Sequence, residues 1–158
     1  MALNLDLPVL RRLAHGAAML TRGMTLGVRG IAIDGENRVC LVRHTYVRGW
    51  YLPGGGIEPG ETAAASMARE FREEAELIVD PAVPLRLHGF LFNSRQWGRD
   101  HIALFVAPAF TLARAKAPDR EIAECGFFPL DALPADTTRG TRARLDEFRE
   151  GRAPGEHW

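Results

Sequence analysis

Cysteine is scarce in this chain. Only Cys40 and Cys125 occur in 158 residues, too few and too far apart to frame a small disulfide-held scaffold. Both lie in apolar, strand-like segments. They read as buried reduced thiols, and a reducing cytoplasm suits them. Long apolar runs are missing too. The longest, IALFVAPAF at 102–110, falls well short of the roughly 20 residues that a membrane span needs. No secretory signal is visible, so neither a membrane nor export is expected. Charge of one sign is also lacking: 20 basic side chains balance 20 acidic ones. No global field gathers a long polyanion, which argues against a general nucleic-acid binder and leaves room for a small anionic substrate. The five histidines show no metal-ligand spacing.

What is present suffices for one domain with a real core. Residues 1–22 read as a helical extension: Asp6 caps, Pro8 suits a first turn, and Leu10, Leu13, Ala14 and Ala17 recur at helical spacing. Its leucine-rich side could dock on its own domain or on a second subunit, so a monomer and a homodimer both stand. Residues 23–150 form the domain proper. MTLGVRGIAI (24–33) is a strand, DGEN (34–37) a turn, and RVCLVRH (38–44) a returning strand. A loop rich in glycine and proline follows, and Thr62 then caps a helix to about Ala75. Strands are expected at 84–92, 100–110 and 121–130, and a polar helix at 138–150. Residues 151–158 read as a loose tail. Several strands and few helices, without strict alternation, make an α+β layered domain.

The segment AREFREEAEL (68–77) concentrates carboxylates. On a helix turning about 100° per residue, Glu70, Glu73 and Glu74 share one sector. Ala64, Ala68, Phe71 and Ala75 form a narrow opposite face that anchors the helix from behind. Like charges at these spacings cost about 0.2–0.5 kcal/mol per pair. The cost rises where water is restricted, and the last acids lie at the unfavourable end of the helix dipole. A divalent cation would offset this directly, and oxygen-only ligands select a hard ion, Mg²⁺ or Mn²⁺. A solvated Glu/Arg face is the bland alternative.

Immediately upstream stands LPGGGIEPGE (52–61). Gly54, Gly55 and Gly56 leave the backbone bare, so its amides and carbonyls can approach a phosphate or a metal. A glycine loop coupled at fixed distance to a carboxylate-bearing helix resembles the Nudix hydrolase box. Gly55 opens the pattern, Glu61 follows after five residues, and Arg69-Glu70 after seven more. Phe71 takes the apolar position, Glu73-Glu74 the acidic pair and Leu77 the final apolar position. One position departs: Glu76 stands where the family has a glycine. That glycine normally ends the helix in a left-handed conformation, which costs a glutamate on the order of 1 kcal/mol.

The resemblance implies an α/β/α sandwich around a mixed sheet. It implies Mg²⁺-dependent hydrolysis of a phosphoanhydride in a nucleoside diphosphate linked to another moiety. Glu70, Glu73 and Glu74 would hold the metal with the main-chain carbonyl of Gly54. Arg69 would orient a glutamate, and Glu61 would assist or pair with it. An acid from a later loop can serve as general base; of Asp119, Glu121 and Glu124, Glu121 is favoured. Arg43, Arg48, Arg99 and Trp97 are candidate contacts for a small nucleotide-derived substrate. A catalytically inactive nucleotide sensor on the same fold is the alternative, against which the intact glutamates weigh.

Overall fold

A computed structural model describes residues 23–94 and 98–158. The proposed N-terminal helix and Trp97 lie outside the described residues. Along the chain run β1 (Thr25–Ala32), β2 (Arg38–His44), α1 (Ala63–Ala75), β3 (Leu77–Val79), β4 (Arg86–Asn93), β5 (Asp100–Ala107), β6 (Phe110–Leu112), β7 (Ile122–Pro129) and α2 (Arg139–Arg149). No helix among them is long and apolar enough to cross a membrane.

The sheet is mixed. β5 lies between β1, parallel to it, and β4, antiparallel. β2 pairs with β7, and the short β3 with β6, both antiparallel. The Asp34–Asn37 turn forms as its residues dictate. The Asp34 carboxylate accepts the backbone N–H groups of Glu36 at 3.0 Å and Arg38 at 2.9 Å, and Asn37 takes a positive φ of 60°. The flanking strands do not return as an extended hairpin, however. They share the single bridge Ile33–Val39 and then diverge into different pairings.

Alternation along β1 supplies both faces of the core. Val28 and Ala32 join Met67, Phe71 and Ala75 of α1. Ile31 joins Leu41, Leu52, Leu104 and Leu145 of α2 on the other side. Helices thus cover both faces of the strands, the layering expected from the sequence. Gly30 permits the closest approach: a Cβ there would lie 2.2 Å from the ring of Phe71. Residues 156–158, read from the sequence as loose, are held by backbone bonds. Phe92 donates to Glu156 O at 2.8 Å and Trp158 donates to Phe92 O at 3.0 Å.

Candidate active site

α1 is wedged against the glycine loop rather than lying with its acids outward. Its buried residues are Ser66, Met67, Glu70, Phe71, Glu74 and Ala75. The expected alanine face is only partly used, since Ala64 is exposed. The physical reason is the loop itself. Gly54 and Gly55 bring backbone close enough to receive carboxylates, so two acids turn inward. Glu70 and Glu74 are 8% and 6% exposed, whereas the side chain of Glu73 is 59% exposed.

Hydrogen bonds fix this edge. The Gly54 N–H donates to Glu74 Oε2 at 2.7 Å. Arg69 grips Glu61 with both ends of its guanidinium, at 2.9 and 3.1 Å. It also reaches Glu70 Oε1 at 2.7 Å, Glu73 Oε2 at 3.2 Å and the Gly56 carbonyl at 3.2 Å. Arg69 therefore faces the acids. Its guanidinium holds Glu61 far below the ordinary carboxylate range, at about 2. Burial acts the other way on the inward acids: it raises Glu70 despite Arg69, and pushes Glu74 up to about 7 despite the Gly54 N–H.

The helix ends at Glu76, which adopts φ 55° and ψ 27°. The left-handed conformation is kept, with glutamate bearing its cost. Neighbours hold it: the Glu76 carbonyl accepts from Ala113 N at 3.0 Å, and its carboxylate accepts from Arg114 at 2.8 Å.

Glu70, Glu73, Glu74, Arg69 and Glu121 line one cleft of about 540 Å³. The three acids of the 117–125 segment separate by their bonds. Asp119 accepts the backbone N–H groups of Ile122 and Glu121, with Lys116 beside it, and is pulled down to about 2. Glu124 pairs with Arg43. Glu121 has no ion-pair partner among the described residues. Arg43 and Arg48 line a different cleft, of about 640 Å³, with His44 and Tyr46. Arg99 lines neither, and Trp97 lies outside the described residues.

Arg29 and Lys116, which the sequence reading passed over, also stand here, with His44. Arg29 donates to the Gly54 carbonyl; its signal was a lone charge inside the apolar run Leu26–Ala32. His44 Nδ1 sits 3.8 Å from Glu74 Oε1, and burial lowers its pKa. Lys116 donates to the Glu73 carbonyl at 2.6 Å. A further cleft of about 480 Å³ is walled by Tyr46, Tyr51, Asn93, Trp158 and Arg29.

Among the described residues no three His, Cys, Asp or Glu side chains are gathered closely enough to hold a metal ion between them. The donor set nevertheless fits a hard divalent cation. Two buried carboxylates meet one glycine loop whose Gly54 carbonyl is held only by Arg29 among the described residues, and burial drives Glu74 toward its neutral form despite the Gly54 N–H and the charge of Arg29, the imbalance that a cation relieves.

A NUDIX domain model matches residues 24–148. The 8-oxo-dGDP phosphatase NUDT18 of Mus musculus is 35% identical over 118 residues, covering 73% of this chain and 35% of that protein. The putative ADP-ribose pyrophosphatase YjhB of Bacillus subtilis is 31% identical over 108 residues, 68% of this chain and 51% of that one. The chain thus spans about a third to a half of the length of these curated relatives. The crystal structure of a MutT NUDIX hydrolase from Burkholderia pseudomallei superposes with a TM-score of 0.65 at 22% identity, covering 77% of this chain and 95% of that one, a likeness of fold.

Proposed function

The chain belongs to the Nudix hydrolase family, and on that premise we propose that it hydrolyses a phosphoanhydride bond in a nucleoside diphosphate derivative, with Mg²⁺ as cofactor. One observation carries the reading: Glu70 and Glu74 are held inward on Gly55 and Gly54, with Glu73 beside them on the same cleft. Carboxylates that are costly to bury, yet fixed by loop and arginine, are placed for a cation and not for packing.

Glu70, Glu73, Glu74 and the Gly54 carbonyl would hold Mg²⁺. The ion supplies neutralisation of the diphosphate charge and acidification of a bound water. The remaining tasks fall to the chain. Arg69 orients Glu70 and Glu73 and touches no substrate. The Gly54 N–H fixes one oxygen of Glu74. Glu121, on the same cleft and without an ion pair among the described residues, accepts the proton of the attacking water at a carboxylate oxygen.

The aromatic cleft suits a flat heteroaromatic base, since Tyr46, Tyr51 and Trp158 offer ring faces and Asn93 an amide. Arg43 and Arg48 line the other cleft that Tyr46 shares and suit a charged distal group. The two relatives' names, 8-oxo-dGDP and ADP-ribose, both describe nucleoside diphosphates. The free thiols Cys40 and Cys125 suit a reducing cytoplasm.

A turnover screen tests this reading. Nucleoside di- and triphosphates, ADP-ribose, nucleotide sugars and dinucleoside polyphosphates are offered with and without Mg²⁺. Cleavage of at least one that disappears with chelator is expected. Tight binding without turnover across the panel would instead leave a nucleotide sensor.

A further inference from the structure

Arg29 is the only charged residue between Leu26 and Ala32 of β1. Arg29 is half-buried there, and the usual partner of such an arginine is a carboxylate. Arg29 has none among the described residues. Its guanidinium donates to the carbonyls of Gly54 and, at 3.4 Å, Leu52. The nearby acid Asp100 is already engaged, by Thr25 at 2.7 Å and Asn93 at 2.8 Å. Glu74 takes the amide of Gly54 while Arg29 takes its carbonyl. Arg29 also lines both the aromatic cleft and a smaller one of about 350 Å³ beside Gly55 and Gly56. It stands where the acidic edge meets the aromatic walls.

We propose that Arg29 receives the substrate phosphate nearest the base, and that it is held on the Gly54 carbonyl until a divalent cation takes that oxygen. The proposal rests on the hydrolase reading above for the nature of its ligand. A guanidinium and a divalent cation on one carbonyl oxygen repel each other, because the two positive charges stand a few ångströms apart with no anion between them. The cation prefers the hard oxygen. The released guanidinium carries five donors in a planar fork that matches a phosphate. Cation and arginine then grip different parts of one substrate, and the empty protein keeps the arginine's charge partly satisfied.

Two titrations that need no turnover test it on Arg29→Met and Arg29→Lys. Mn²⁺ alone is titrated by calorimetry; a nucleoside 5′-monophosphate is then titrated with Mn²⁺ present, beside the unphosphorylated nucleoside. Arg29→Met is expected to bind Mn²⁺ at least about threefold more tightly, since a competitor and a like charge are gone. It is expected to bind the monophosphate about tenfold or more weakly, the nucleoside being unaffected. Arg29→Lys keeps the charge without the fork, so it weakens the monophosphate severalfold at near-parental Mn²⁺ affinity. If the methionine variant does not fold, the lysine variant decides. In turnover the loss falls on KM more than on kcat.

Unchanged monophosphate affinity overturns the proposal. So does weakened Mn²⁺ binding in a folded variant, which would make Arg29 a buttress of the loop, and so does a parent that binds no Mn²⁺. Mn²⁺ and monophosphate binding without turnover by the parent sinks the hydrolase reading alone. Turnover with an unaltered KM in Arg29→Met sinks this one alone.

Discussion

A side-chain carbon on Gly55 would lie 2.6 Å from Glu70 Oε1, so the bareness of that glycine is what admits the carboxylate to the loop. Gly55 has no positive φ to protect, and alanine suits its backbone. Gly55→Ala is therefore expected to act by collision. Displacing a carboxylate that Arg69 pins should cost about 1–3 kcal/mol, as overpacking does, and lower turnover about tenfold or more by moving a ligand. Kinetics beside a denaturant melt check this; full activity would mean that Glu70 moves aside freely.

Arg69 bonds three glutamates and one carbonyl. Lysine cannot reproduce that fork. If the arginine sets the acids and does not meet substrate, as proposed, Arg69→Lys should retain the fold but lower kcat about 10- to 100-fold, with KM changed far less. A rise confined to KM would place Arg69 on the substrate instead.

Glu74 gives the pH dependence. Burial lifts its folded pKa from 4.5 to about 7. Without metal, the folded state keeps the proton that the unfolded chain releases. Stability is therefore greatest below about 4.5, falls as pH rises toward 7, and is level above that. The full loss is on the order of 3 kcal/mol at most. Chelated parent protein should melt lower at pH 8 than at pH 5 from this group, and Mg²⁺ should restore more at pH 8. Glu74→Gln keeps the shape and can accept the Gly54 N–H, so it should flatten that slope while cutting turnover by orders of magnitude. Glu73→Gln, at an exposed position, should cut turnover without altering the slope. Equal activity of either variant and the parent would remove the cation site from the mechanism.

Much of this architecture can be read from the chain, and the reasons differ by element. α1 shows itself through a capping Thr62, helical spacing and fixed distances to Gly55. β2 runs over Arg38–His44 because an apolar run between a turn and a loop has few other options. β3 and β6 are invisible beforehand, since three-residue strands exist only through pairing between Leu77–Val79 and Phe110–Leu112. The separation of β1 from β2 is equally non-local, because β5 and β7 outcompete the hairpin. In the site, residue types and spacing put Glu70, Glu73 and Glu74 on one cleft but do not give their burial. Inward rotation of Glu70 and Glu74 depends on how closely two bare glycines approach, and Arg29 meets that loop only once β1 is placed.

Glu76 isolates the cost of the unusual helix end. Its φ of 55° is strained for any residue with a Cβ. Glu76→Ala loses the Arg114 pair and keeps the strain; Glu76→Gly loses the same pair and removes it. The Arg114 side chain is 76% exposed, so water screens the pair and it contributes little. Glycine should therefore exceed alanine in stability by about 1 kcal/mol, and match or slightly exceed the parent. Turnover should not change in either, because Glu76 does not line the acidic cleft. The comparison is made by denaturant unfolding of the three proteins side by side. Alanine as stable as glycine would mean that the helix does not end in a left-handed turn in solution, and that Leu77 then reaches β6 by another path.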